Sequence, residues 1–213
     1  MARVLVACEC SGRVREAFRA RGHDAVSCDL LPDEQGSPYH VHGDVVPVLR
    51  EPWALVIAHP PCTYLANSGA RWLFEKPGRW GQLYDGVRFF RRFLECNVER
   101  VAVENPWPHK WAMEMIGRKP DQRAQPWWFG DRQKKGLCLW LKGLPPLLPD
   151  RVVGPPPKSG TEEAKTWESV WREPPGLDQA RNRSRTFPGF ARAMADQWGP
   201  LLPGDKGAPC SPS

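Results

Sequence analysis

The sequence predicts an α/β fold, a mostly parallel sheet with helices on both faces. Two observations carry that prediction. Short apolar, β-branched runs recur at residues 3–8, 24–29, 53–58 and 100–104, with helically spaced stretches after the first and third. What stands at the ends of those runs is the second observation: Asp29, then Pro60-Pro61-Cys62, then Glu104-Asn105-Pro106. Open α/β sheets gather ligands at the carboxyl ends of their strands, so chemically active residues are expected there.

Residues 3–8 (Arg-Val-Leu-Val-Ala-Cys) read as a first, central parallel strand. Glu9-Cys10-Ser11-Gly12 make the turn. Residues 14–21 form a helix with Val14, Ala17 and Phe18 on one face, stopped by Gly22. Residues 24–29 close a βαβ unit of nearly minimal length. Such a unit sets backbone N–H groups at a helix N-terminus beside an acid, Asp29, of the kind that takes ribose hydroxyls. The turn is not G-x-G-x-x-G, so the unit reads as Rossmann-like and leaves the ligand open. His40-Val41-His42 read as exposed loop histidines; no other ligand cluster is close in sequence, and no metal site is expected. Asp44, after Gly43, either holds an adenine amino group or makes a plain surface turn.

The run at 53–58 ends on two prolines, which cannot continue a central ladder and stiffen the backbone that carries Cys62. Cys62 is then either a nucleophile or a half-buried structural thiol. Residues 66–86, rich in Gly, Trp, Arg and Lys, are a mobile lid or a long connection. Residues 84–95 are amphipathic, with Val87, Phe90 and Leu94 inward and Arg88, Arg91 and Arg92 outward. The strand at 100–104 follows. Glu104 alone would read as an N-cap or a surface acid. Because parallel strands lie about 4.8 Å apart, Cys62 and Glu104 at neighbouring strand ends can reach one substrate ring.

Composition bounds the class. A chain of 213 residues, 41% hydrophobic and 25% charged, suits one globular domain. No apolar run reaches membrane-spanning length and the apolar start lacks a signal peptide's flanks, so a cytoplasmic protein is expected, host-cytoplasmic if viral. Seven scattered cysteines fit reduced thiols. A net charge of +6 favours a polyanionic partner, and eleven Trp, many in polar loops, offer flat faces for stacking or packing. A monomer without membrane or metal is expected.

Together the landmarks resemble the DNA cytosine-5 methyltransferases. Pro60-Pro61-Cys62 is similar to that family's Pro-Cys loop, Glu104-Asn105 to its Glu-Asn-Val, and Gln133-Lys134-Lys135, before a strand at 137–141, to its Gln-x-Arg segment. The βαβ unit is similar to its S-adenosylmethionine half-site. Phe187-Pro188-Gly189 and the helix 190–198 are similar to its C-terminal segment, which folds back beside the first strand. The resemblance covers most of residues 3–199. It implies a Rossmann-like S-adenosylmethionine-dependent methyltransferase fold, with S-adenosylmethionine as cofactor and DNA as partner. Catalysis then falls to Cys62, Glu104 and Lys135. Cofactor binding falls to Ala7, Cys8, Glu9, Ser11, Gly12, Asp29, Leu30, Asp44 and Pro60, and DNA binding to Arg71, Lys76, Arg79, Gln133 and Lys134.

The chain also departs from that pattern. Glu9 stands where the family favours glycine, Pro106 where it has valine, and Lys135 and Leu137 where it has arginines, so Arg71 is expected to compensate. Between Lys135 and Arg181 there is room only for a reduced recognition insert at about 144–180, with the Pro155-Pro156-Pro157 loop and a short helix near 161–171. A minimal, phage-type catalytic domain over 1–199 is expected, with a disordered tail at 200–213. The implied reaction adds the Cys62 thiolate to C6 of a flipped cytosine, with Glu104 supplying a proton at N3 and methylation following at C5. Two other readings stay open: a methyltransferase-like nucleic-acid-binding protein without turnover, and a Cys-dependent enzyme on a free cytosine nucleotide.

Overall fold

Strand residues alternate between the two faces of a sheet, and the central runs of this chain are apolar at every position, so both faces must be covered by helices. The structure, a computed structural model, describes residues 1–204 apart from 175, 177 and 178. In chain order the elements are β1 (Arg3–Ala7), α1 (Arg13–Ala20), β2 (Asp24–Asp29), β3 (His40–His42), α2 (Val45–Val48), β4 (Leu55–Ala58), α3 (Trp72–Glu75), α4 (Arg79–Leu94), β5 (Val101–Asn105), α5 (Lys110–Ile116), β6 (Gln122–Ala124), β7 (Leu137–Lys142), α6 (Glu162–Trp167), α7 (Gln179–Ser184) and α8 (Pro188–Trp198).

The strands form one sheet in the order β3-β2-β1-β4-β5-β7-β6. β1 to β5 pair in parallel, while β7 runs antiparallel to both β5 and β6. From β1 the chain winds outward to β3 on one side, then crosses to β4 and β5 on the other. The crossing lies between β1 and β4, and this is the crevice where α/β sheets bind ligands. The predicted α/β class, a mostly parallel Rossmann-like sheet with helices on both faces, is the fold observed.

Each face has its own core. On one, Val14 and Phe18 of α1 and Phe190, Met194 and Trp198 of α8 cover Val4, Val6, Leu55, Ile57 and Leu139. On the other, Leu83, Val87, Phe90 and Phe93 of α4, with Ala112 and Ile116 of α5, cover Leu5, Ala7, Val56, Ala58, Val103 and Trp140. The Phe90 and Trp140 rings meet edge-on at 4.9 Å, a geometry that adds to their area burial. The helix at the C-terminal end therefore packs beside α1 on the β1 side, where Arg21 pairs with Asp196.

Several elements differ from expectation, each for a local reason. His40–His42 is an edge strand rather than an exposed loop: His40 is tucked in, its Nδ1 2.9 Å from Ser27 Oγ and its Nε2 3.0 Å from the Leu31 carbonyl. Helix α4 starts at Arg79, well before residue 84. Its glycines hide the helical period, yet Gly86 is where the helix passes close to Tyr64 and Leu65. Within it Phe93, not Leu94, is the fully buried residue. β6 (Gln-Arg-Ala) has too few apolar residues to stand out in the sequence, and α5 is only seven residues long. The tail begins later than residue 200: Gly199–Leu201 form a 3-10 turn, Leu202 is buried, and the Met1 ammonium donates to the Gly204 carbonyl at 2.8 Å. Residues 205–213 of the expected tail lie outside the described residues.

Gly189 lies where α8 starts against the loop after β6. A Cβ there would stand 2.2 Å from the Phe129 carbonyl oxygen and 2.7 Å from Asp131 Oδ2. Asp131 caps the helix, accepting from Gly189 N and Phe190 N at 3.0 Å each. Gly189→Ala is therefore expected to destabilise the protein by about 1–3 kcal/mol in a urea melt, because backbone rather than a flexible side chain must yield.

Candidate active site

The strand ends are built by backbone geometry. Val56, Ile57 and Ala58 pair with Val101, Ala102 and Val103, so β4 and β5 finish side by side at their carboxyl ends. The ladder continues one residue past β4, where His59 N donates to the Ala7 carbonyl at 2.9 Å. Pro60 and Pro61 then end it, having no N–H to donate. Asn105 fixes the turn to the neighbouring strand: its Nδ2 donates to the Pro60 carbonyl at 2.7 Å, fully buried. Cys62 follows half-buried, and its own carbonyl accepts from Leu65 N and Ala66 N, both at 2.9 Å. The thiol thus sits on a short, doubly tied turn at the sheet edge.

Glu104 is the neighbouring acid. One of its oxygens, Oε2, lies 3.2 Å from His59 Nδ1, and the other, Oε1, is buried without a partner. Burial alone would push this carboxyl up. The hydrogen bond from His59 and the nearby charge of Lys135 outweigh it, and the carboxyl titrates below its ordinary range. Cys62 feels the same groups. Burial pushes its thiol up and Glu104 adds to that push, while Lys135 and Arg183 pull it back toward the thiolate. Cys62, Glu104 and Lys135 therefore lie close enough to act on one another electrostatically. Lys135 Nζ also donates to the Arg183 carbonyl at 3.2 Å.

A small cleft lies between Glu104, Lys135 and the C-terminal segment, lined by Glu104, Lys135, Leu137, Arg185, Thr186 and Phe187 among others, with free space for about one water molecule. It is smaller than the ~300–1,000 Å³ of common small-molecule sites. The segment forming its far wall is tied down by Arg13, which donates to the Thr186 carbonyl at 2.7 Å, and by Arg185 on Glu34 at 2.9–3.0 Å.

The residues expected at the cofactor divide into two groups. Ala7, Cys8, Ser11, Gly12, Asp29 and Leu30 surround the carboxyl ends of β1 and β2, with Pro60 and Asp44 at the adjoining ends. Cys8 adopts a left-handed conformation, φ 59°, and Gly12 another, φ 70°, under the buried Arg15 guanidinium. Asp29 Oδ1 accepts from Leu31 N at 2.8 Å, and Leu30 beside it is 74% exposed. Asp44 Oδ1 caps α2 through Val46 N at 2.9 Å. Glu9 behaves differently. It is buried, and its carboxylate accepts from Val14 N at 2.7 Å and Arg15 N at 3.3 Å. The positive end of α1 is thus closed by the chain's own acid, in place of an external anion. Burial pushes the Glu9 carboxyl up, against the pull of His59 and of those N–H groups. His59 therefore stands between two acids, with Nε2 buried and unpartnered.

The residues expected at DNA also divide. Arg71, Lys76 and Arg79 lie together, Arg71 and Lys76 on the Trp72 ring and Arg79 on Tyr64. Gln133 and Lys134 turn inward instead. Gln133 bonds the Thr166 carbonyl and Ser169 Oγ, and Lys134 bonds Ser159 Oγ, so both hold the α6 region against the sheet. His59, Asn105 and Arg183 were given no role from the sequence. A titratable residue directly before Pro-Pro-Cys was the available signal for His59; nothing in the sequence marks Arg183.

No protein-family model and no curated protein matches the chain. Solved structures that resemble it include a protein named as a DNA modification methyltransferase encoded within an E. coli prophage (TM-score 0.47, 14% identity, 71% of this chain and 52% of that one). Others are the Entamoeba histolytica methyltransferase EhMeth (0.43, 12%, 71% and 57%) and a TehB-like SAM-dependent methyltransferase from Corynebacterium glutamicum (0.36, 17%, 66% and 79%). The chain spans about half the length of the first two. Among the described residues no helix is long and apolar enough to cross a membrane, and no group of three or more His, Cys, Asp or Glu is placed to hold a metal ion.

The buried acids give a pH signature. Glu104 has its carboxyl depressed, so its contribution to stability is present above its ordinary value of 4.5 and is lost as pH falls below it. In His59→Gln the imidazole no longer opposes burial, and both Glu104 and Glu9 shift upward. The stability deficit of that variant relative to the parent protein is expected to be larger at pH 7 than at pH 4, as read from urea melts at the two values.

Proposed function

We propose that the chain is a DNA cytosine-5 methyltransferase acting through a covalent Cys62 adduct. The observation that carries this reading is the convergence of Cys62, Glu104 and Lys135 at the ends of β4, β5 and the approach to β7, beside a small cleft walled by the C-terminal segment. Cytosine C5 is a poor nucleophile until a group adds at C6.

Cys62 adds as thiolate to C6, forming the S–C bond, and the electron pair moves through the ring as Glu104 delivers a proton to N3. Glu104 is anionic in the free site. A base entering between it and Lys135 separates the two charges and deepens the burial, and both changes drive the carboxyl upward so that it takes up and passes on a proton. Lys135 and Arg183, left facing the thiol, favour its ionised form. S-adenosylmethionine, when bound, supplies an electrophilic sulfonium methyl for C5. Loss of the C5 proton to solvent then expels the Cys62 thiolate, and N3 returns its proton to Glu104, which restores the ring. To reach these groups the base must leave its stack.

The β1–β2 end suits the nucleoside half of that cofactor: Asp29 for the ribose, the exposed Leu30 against the adenine, Asp44 near its amino group. The α1 N-terminus does not suit an α-carboxylate, because Glu9 already fills it. That one feature favours the second reading, a nucleic-acid-binding protein without turnover.

Two measurements decide between them. S-adenosylhomocysteine at 100 times its dissociation constant should stabilise the protein by about 2.7 kcal/mol, and Asp29→Ala should remove most of that gain; no calorimetric binding would leave only the non-catalytic reading. With S-adenosylmethionine and DNA carrying 5-fluorocytosine, a covalent adduct should accumulate on Cys62, because fluorine cannot depart as a cation. Cys62→Ser should lower methyl transfer by a factor on the order of 10³ or more while cofactor binding persists. An adduct mapped to another cysteine would sink the assignment.

A further inference from the structure

Residues 71–80 turn an aromatic and basic face outward beside the Cys62 turn. Phe74 is 67% exposed, Tyr84 58% and Trp80 40%, although large rings ordinarily bury most of their area. Phe74, Trp80 and Trp111 form one cluster, with centroids 5.8, 5.1 and 6.1 Å apart and every pair edge-on. Edge-on packing rigidifies the rings, while Phe74 and Trp80 keep much of their surface exposed. Trp111 continues to His109 at 5.7 Å. His109 is anchored to the catalytic loop: its N–H donates to the Leu65 carbonyl at 2.9 Å and its Nε2 lies 3.1 Å from the Tyr64 carbonyl. The ring cluster is therefore fixed relative to Cys62.

The cations of this face are held on rings. Arg71 and Lys76 lie 4.1 and 4.3 Å from the Trp72 centroid, Arg79 lies 4.3 Å from Tyr64, and Lys110 lies 4.6 Å from Trp111. Arg79 also donates to the Thr63 carbonyl at 2.8 Å. Over residues 71–80 three cations face a single acid, Glu75.

Flat apolar rings alternating with cations match one polymer above others. Unpaired nucleotides offer a π-face and a phosphate at every step, whereas a duplex stacks its bases on one another and presents phosphates and base edges without a free π-face. We infer that this face binds single-stranded DNA, with bases stacked on Phe74 and Trp80 and phosphates at Arg71, Lys76 and Arg79. The inference rests on DNA being the substrate, and it specifies the strand state in which the DNA flanking the target is held.

The test uses the full chain without cofactor. Fluorescence anisotropy of labelled oligodeoxythymidine and of a duplex of equal length gives the two affinities, and quenching of tryptophan emission reports stacking. Tighter binding of the single strand, with quenching, is expected. Phe74→Ala and Trp80→Ala should each weaken single-strand binding roughly 5- to 100-fold, the worth of one base–aromatic stack, and leave the duplex affinity and the salt slope unchanged. Phe74→Tyr should restore most of the loss. Arg71→Ala should flatten the salt slope for both DNAs. Thermal melts of each variant verify folding, and the mostly exposed Phe74 is the safer of the two positions.

Equal affinity for the two DNAs, or single-strand affinity unchanged in both aromatic variants, would overturn the inference. So would a concentration-dependent dimer that Phe74→Ala dissociates, since the face would then belong to a second copy. Because no cofactor is present, single-strand binding that survives alongside absent methyl transfer removes the enzymatic reading and keeps this one.

Discussion

The buried hydrogen bond from Asn105 to the Pro60 carbonyl is the joint on which the site depends. Prolines end the β4 ladder because they lack an N–H, and a strand end without further backbone bonds would otherwise be free to splay. The Asn105 side chain replaces the missing ladder bond with one in the same place, from the neighbouring strand. Glu104 and Asn105 are adjacent on β5, so a single strand both fixes the thiol's turn and presents the acid to it. Removing that amide would leave the Pro60 carbonyl unpaired, at a cost of about 1–3 kcal/mol, and would loosen the distance between Cys62 and Glu104.

The same edge concentrates buried charge. Glu9, His59 and Glu104 come from the ends of β1, β4 and β5, three adjacent strands. Each carboxylate is expensive to bury alone. Glu9 is offset by the N–H groups of α1 and by His59, Glu104 by His59 and Lys135. One imidazole thus serves two acids, and the state of either acid is felt by the other through it. This coupling holds Glu104 below its ordinary range, while burial still pushes Glu9 and the Cys62 thiol up.

How much of this was open to sequence reading follows the range of the interactions. The parallel strands were readable because apolar runs are local, and Cys62 and Glu104 could be paired because adjacent strand ends follow from chain order. Glu9 was read only as a departure in a turn. Its role as the α1 cap depends on side-chain reach over five and six residues, which neither helical nor strand period reveals. Gln133 and Lys134 were assigned to DNA through a three-residue resemblance; their partners lie more than 20 residues later, in α6 and on either side of it. The start of α4 was missed because Gly81 and Gly86 mask the period, though Gly86 is the point of close approach to Tyr64.

The partners of Gln133 and Lys134 bear on how this chain can select a substrate. The segment between β7 and α8 was expected to carry a reduced recognition element. Much of its polar capacity instead points back to the body: Ser159 and Thr166 to Lys134 and Gln133, Trp171 Nε1 to the Lys134 carbonyl, and the Arg183 carbonyl to Lys135. A segment so engaged braces Lys135 over the pocket. It has fewer groups left to read base edges, and bidentate contacts of that kind are what discriminate sequence. The face of residues 71–80, with Arg71, Lys76 and Arg79 among exposed rings, holds charge and flat surface. On the function proposed above, positioning by phosphate and stacking there, with little base-edge readout from the brace, predicts weak dependence on the sequence around the target base.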